Sequence, residues 1–213
     1  MNQEKKMENS IDETLNTISH GASFFLATVG FILLLIKGQS QHHHFELLSY
    51  FIYSVSIILL FLFSTLFHNL RPQRENDFIT TFNRSSIYIL LAGTATPFCL
   101  LTIGGAWGTW TLLIIYFLAI CGICLKIDRF DFQFRPILEI AIYTLLTIAY
   151  LVMIQLLFNQ LARIPLYLVI AGSLLYLSSA ILYKLRLRHS LSLGKFISFI
   201  ACTLIWFAIY LFL

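Results

Sequence analysis

Charge is what this sequence lacks. Of its 213 residues, only 11% are Asp, Glu, Lys or Arg, where a soluble domain carries about 25%. So few charges cannot cover a water-facing surface. Cysteine is equally sparse. The four present, Cys99, Cys121, Cys124 and Cys202, all fall inside apolar runs. Cys121-Gly-Ile-Cys124 has the form of a redox or metal pair, but its surroundings are hydrocarbon, and all four are expected to be small buried apolar residues. No small-residue cleavage pattern follows the first apolar run, so no secretory leader is expected. No nucleic-acid partner is expected either.

Hydrocarbon is present in quantity. Hydrophobic residues make up 59% of the chain and the mean hydropathy is +0.84. That is the composition of an integral membrane protein. A helix needs about 20 apolar residues to cross the hydrocarbon core. Seven runs qualify, near Ile18–Ile36, Leu47–Leu70, Ser85–Ile103, Trp107–Leu125, Ile137–Phe158, Pro165–Tyr183 and Phe196–Leu213. The expected fold is all-α, a polytopic seven-helix bundle over 15–213 that follows a cytoplasmic tail of residues 1–14. Helices are favoured because each satisfies its own backbone hydrogen bonds in lipid. Gly104, Gly105 and Ala106 read as a tight turn between the third and fourth spans. Gly93 and Pro97 could kink the third.

Basic residues set the expected orientation. Lys5, Lys6, Arg71, Arg74, Arg84, Lys126, Arg129, Arg135, Lys184, Arg186, Arg188 and Lys195 fall on one side of a seven-span bundle, and only Lys37 and Arg163 on the other. The positive-inside rule then puts the N-terminus in the cytoplasm and the C-terminus outside it. In this arrangement His20, His68, Asn83, Arg84 and Lys195 share one leaflet, at the ends of four helices. Ionisable groups at membrane depth mark candidate sites, although long basic side chains also simply snorkel at the interface. Ser64 and His68 lie one helical turn apart on one face. Three consecutive histidines, His42–His44, fall on the opposite side and read as a polar loop.

Several local patterns occur in a fixed order. Glu13, Asn16, Ser19, His20 and Gly21 fit E-x-x-N-x-x-[ST]-H-G, and Ser64 and His68 fit S-x-x-x-H. "IYILLAGTATP" follows, with Ile87, Tyr88, Gly93, Thr94, Thr96 and Pro97 in place, then "GGAWGTW", "GICLK" and "GSLLY". From about Asp12 to its end, the chain resembles the hemolysin III family, the bacterial branch of the progestin and adipoQ receptor superfamily. The resemblance implies a multi-pass protein of the bacterial inner membrane with membrane lipids as partners. It also implies a zinc ion near the cytoplasmic leaflet, held by the helix 2 histidine and by two histidines four residues apart opening helix 7. An acid opening helix 3 would organise the metal-bound water. Such a centre resembles that of a lipid amide hydrolase.

The chain departs from that pattern at the site. The two helix 7 positions are Leu191 and Lys195, the helix 3 acid is Asn83, and the aromatic residue of G-T-x-T-P is Ala95. Only His68 matches a family ligand. One protein ligand does not retain zinc, so no cofactor is expected. His20 and His189 are the alternative donors. Without a metal, Glu13, His20, Ser64, His68, Asn83, Arg84 and Lys195 would form a polar cluster, with Asp12 as a further acid. The expected function is a metal-free membrane protein acting in membrane or lipid homeostasis, or a membrane-perturbing, hemolysin-like activity. The alternatives are a zinc-dependent, ceramidase-like lipid amide hydrolase with a rearranged ligand set, and a small receptor or transporter. Against a transporter, the spans hold few charges and show no duplicated half with matching broken helices.

Overall fold

A computed structural model describes the backbone of residues 2–39, 45–70, 77–127, 133–185 and 190–213. Side chains are described for residues 14–39, 45–70, 78–127, 133–179 and 196–213. The described residues are all-α. In chain order the helices are α1 (Asn2–Gln39), α2 (Glu46–Asn69), α3 (Asp77–Pro97), α4 (Gly105–Lys126), α5 (Arg135–Leu157), α6 (Arg163–Leu185) and α7 (Ser190–Phe212). Among the described residues, five stretches are long and apolar enough to cross a membrane: Thr14–Gln39, Glu46–Asn69, Phe78–Ile103, Gly105–Lys126 and Arg135–Leu157. Arg163–Ser179 and Phe196–Phe212 are shorter apolar stretches among the described residues.

The surface is apolar, and hydroxylated side chains are buried among an otherwise hydrophobic core. Trp107 is 73% exposed, and Phe25 and Phe117 are each 66% exposed. Ser54, Ser56, Ser85, Ser86, Thr94 and Thr96 are buried. Lipid is as apolar as Leu, so no hydrophobic force drives helix against helix inside a bilayer. Small and hydroxylated residues that let backbones approach do that work instead. Gly93 shows the constraint. A β-carbon there would lie 2.2 Å from the Ser56 hydroxyl oxygen, so α3 can approach α2 only through glycine. α2 packs against both α1 and α3, α4 against α3 and α5, and α6 along α7.

Pro97 has no amide hydrogen to continue the helix. Beyond it, Phe98–Ile103 form a π-helical turn. The Gly104 amide donates to the Cys99 carbonyl five residues back, at 3.0 Å, and closes that turn. Gly104 and Gly105 then take φ values of +60° and +54°, a region that favours glycine. The chain reverses there into α4, as the sequence suggests.

Several boundaries differ from the hydropathy reading. The polar tail is not a separate element, because α1 runs unbroken from Asn2 through it. α3 begins at Asp77, eight residues before the apolar run, so Asn83 and Arg84 lie nearly two turns inside a helix. Hydropathy finds the length in lipid, whereas a helix continues into water as long as its backbone bonds are made. The cysteines also divide. Cys99 and Cys202 are buried as expected, but Cys121 is half-buried and Cys124 is exposed on the outer face of α4.

Candidate functional site

Two of the sequence patterns meet in space. His20 on α1 and His68 on α2 stack with parallel rings, their centroids 5.5 Å apart. Both are half-buried. Phe61 lies one face away, its ring centroid 6.1 Å from that of His20. It also reaches Phe199 of α7 at 6.4 Å. Phe67 meets His68 edge-on at 5.4 Å. Gly21, next to His20, faces α2, where a β-carbon would stand 3.8 Å from the Thr65 methyl, an ordinary packing contact. The histidines are thus flanked by two aromatic rings of α2, Phe61 and Phe67.

One turn back along α2, the Ser64 hydroxyl donates to the Asn83 side-chain oxygen of α3 at 3.0 Å. Asn83 is also anchored through its main chain, whose carbonyl accepts the Ser86 hydroxyl at 2.8 Å. On α1, Asn16 is buried and its carbonyl accepts the Ser19 hydroxyl at 3.0 Å. The Ser23 hydroxyl in turn bonds the Ser19 carbonyl at 2.8 Å. These are neutral hydrogen bonds between and along α1, α2 and α3.

Of the candidate residues, the structure brings His20 to His68 and Ser64 to Asn83. Arg84 turns outward and is exposed, away from Asn83 by the pitch of the helix. The side chains of Glu13 and Lys195, and that of Leu191, lie outside the described residues, as do those of Asp12 and His42–His44. His189 lies outside them altogether.

Zinc needs at least three protein donors, from nitrogen, sulfur or carboxylate. His20 and His68 supply two. Ser64 and Asn83, one turn back, are neutral and bonded to each other. Among the described residues no group of three or more His, Cys, Asp or Glu side chains comes together. Leu191 has no donor atom and Lys195 is a cation. The described donor set therefore does not fit the family's metal.

The opposite end holds groups that sequence reading missed. The Lys37 ammonium, from the last turn of α1, donates to the Tyr210 carbonyl of α7 at 2.6 Å and to that of Ile209 at 3.4 Å. It stands 5.8 Å from the ring centroids of both Tyr50 and Tyr210, a cation–π distance. Glu46, nine-tenths buried at the start of α2, lies within electrostatic range of it. A bond to a backbone carbonyl leaves no motif. The signal that was available is a lone lysine ending an apolar helix.

The sequence as a whole matches that of a known group. The family described as Haemolysin-III related matches residues 9–209. The chain belongs to the hemolysin III family. Hemolysin-3 of Bacillus cereus is 34% identical over 186 residues, which covers 84% of this chain and 83% of that protein. The Hemolysin-3 homolog of Bacillus subtilis (strain 168) is 30% identical over 185 residues, 84% of this chain and 85% of that protein. With this membership and its apolar helices, the hemolysin III-family chain is a multi-pass membrane protein.

Proposed function

We propose that this chain is a metal-free member of the hemolysin III family. Its role is in membrane or lipid homeostasis, or in perturbing a membrane as the name of its relatives records. The Ser64–Asn83 hydrogen bond carries the reading. In a lipid amide hydrolase of this architecture, the helix 3 group is a carboxylate that organises a water on the metal. Here it is a carboxamide held by a serine. A carboxamide does not take up a proton near neutral pH, so Asn83 cannot serve as a general base. Leu191 and Lys195 remove the two helix 7 donors as well. What remains is a polar latch, Ser64 to Asn83, that ties α2 to α3.

The stacked His20–His68 pair favours a second reading. His20 and His68 would hold zinc with His189, giving a hydrolase with a rearranged ligand set. Elemental analysis of the detergent-purified protein separates the two. The first reading expects well under one zinc per chain, unchanged in His68→Ala. Stoichiometric zinc that disappears in His20→Ala or His189→Ala would establish the second.

The same reading includes seven membrane spans with the N-terminus cytoplasmic and the C-terminus outside, supported by the twelve-to-two division of basic residues. Reporter fusions after Arg74 and Arg188 should report cytoplasm, and one after Leu213 the opposite side. A cytoplasmic signal from Leu213 would mean that one span does not cross.

A further inference from the structure

One stretch of this membrane protein has no charge to hold it at a fixed depth. Between Arg84 and Lys126 there is no Asp, Glu, Lys, Arg or His. The stretch holds the π-helical turn, the Gly104–Gly105 reversal and all of α4 but its last residue. The other turns on this side differ, with Lys37 and Glu46 flanking the one from α1 to α2 and Arg163 beside the one from α5 to α6. Packing does not hold the turn from α3 to α4 either. A β-carbon on Gly104 or Gly105 would meet nothing within 4 Å. What the turn has instead is two tryptophans.

We propose that Trp107 and Trp110 anchor this turn in the membrane interface, where they bind the ester and glycerol zone of phospholipids in the adjoining leaflet. The proposal needs α3 and α4 to span the membrane. It does not depend on which end is cytoplasmic, or on whether the histidine end holds a metal.

Position is the first support. From Trp107 to Lys126, α4 rises about 29 Å at about 1.5 Å per residue, against ~30 Å for a typical hydrocarbon core. An indole thus stands at one limit of the core and an ammonium at the other. Trp110 lies one turn further in, and a lysine stem lets the Lys126 backbone sit slightly inside its own boundary. Orientation is the second. Trp107 and Trp110, three residues apart, share one face of α4, and both are exposed, Trp110 to 63%. The Thr109 hydroxyl near them is turned back on its own helix, donating to the Gly105 carbonyl at 2.9 Å.

Chemistry selects the interface over plain hydrocarbon. An indole has a broad apolar body and one N–H donor. Among the described residues neither N–H has a hydrogen-bond partner, whereas that of Trp206 donates to the Gly30 carbonyl at 3.3 Å. A donor left unpaired in hydrocarbon is costly. Ester carbonyls lie where the acyl chains end, so one lipid zone receives both the ring and the N–H. The exposed rings near the opposite end are Phe78, Phe134 and Phe196, which have no donor. Each of those sits next to a charged residue in the sequence, Asp77, Arg135 and Lys195. Charge holds depth at that end, and indoles hold it at this one.

The test reads depth from fluorescence, with the full chain in phosphatidylcholine vesicles. The chain has three tryptophans, so Trp206→Phe leaves Trp107 and Trp110 as the emitters. Lipid brominated high on the acyl chain, next to the ester, should quench them more strongly than lipid brominated near the methyl end. Iodide in the aqueous phase should quench them only weakly. Because Trp206→Phe also removes a contact between α1 and α7, a second variant carries the same reading. Trp107→Phe with Trp110→Phe, in a chain that keeps Trp206, should lose the part of the emission that the ester-proximal bromine quenches. Stronger quenching from the methyl end would place the pair in hydrocarbon. Iodide quenching as strong as that of free tryptophan would place it in water. Protection from both lipids and from iodide would mean that a second copy of the chain covers the pair. Each of these three outcomes overturns the proposal.

Discussion

At the histidine end, two contacts between helices join one side chain to another on the next helix in sequence, His20 to His68 and Ser64 to Asn83. At the Lys37 end, one side chain crosses from the first helix to the last and bonds main-chain carbonyls. The first kind of contact depends on the identity of both partners. If either changes, the contact changes its chemistry, as Asn83 illustrates where an acid is expected. The second depends on one residue only, because every residue supplies a carbonyl. The histidine end can therefore change function by substitution while the bundle stays closed. The main-chain part of the Lys37 contact holds whatever the sequence of α7, and only the Tyr210 ring adds a side chain to it.

The largest effect expected from this contrast is a gain of metal. The triple variant Asn83→Asp, Leu191→His, Lys195→His restores an acid and two imidazoles four residues apart on the α7 face. It should go from well under one zinc to about one per chain, removable by chelator and measurable by elemental analysis. With His68 the set reaches three protein donors and an open fourth position. No gain would mean that positions 191 and 195 do not face His68, and the reading of this end as a former metal site would fail.

Lys37→Met comes next. Methionine keeps the apolar stem and removes the ammonium, leaving the Tyr210 and Ile209 carbonyls with fewer partners. Hydrogen bonds to charged groups contribute about 1.5–3 kcal/mol, so the thermal midpoint in detergent should fall clearly. Lys126→Met is the control. Lys126 pairs with Glu139 at 2.8 Å, but Arg135 also reaches Glu139 at 3.5 Å, so Glu139 keeps a cation when Lys126 is removed and the loss should be the smaller one. Equal losses in the two variants would remove the distinction between the ends.

The two ends were also unequally legible. S-x-x-x-H is readable because both residues sit on one helix at i and i+4, and helical geometry puts them on one face. The Gly104–Gly105 turn and the break at Pro97 were readable because glycine and proline act through the local backbone. Lys37 was counted only as one of two basic residues on its side. Its partners lie more than 170 positions away and are main-chain atoms, so no spacing announces them. The Asp77 start of α3 was missed for a different reason. Its first turns are polar, and apolar periodicity reports lipid contact, not helix. The exposed Cys124 shows the same limit, since an apolar run does not reveal which of its faces points to lipid.

The smallest effect belongs to Ser64, and it tests whether the histidine end is as neutral as its bonds suggest. Ser64→Ala removes a donor to Asn83 and little volume. Hydrogen bonds between helices in membrane proteins average about 0.6 kcal/mol and reach about 1.7, because each group finds another partner when the helices part. A double-mutant cycle with Asn83→Ala isolates the pair from the packing that each substitution also disturbs. Thermal or denaturant unfolding in detergent should give a coupling near the lower figure. A coupling of zero would mean that the two side chains do not bond in the membrane, and the latch between α2 and α3 would have to rest on packing alone. A coupling well above the upper figure would mean that a charge takes part, drawn from Glu13, Lys195 or a protonated histidine. The comparison would then reverse, with the histidine end the more strongly polar of the two and a hydrolytic or ion-binding role there the better reading.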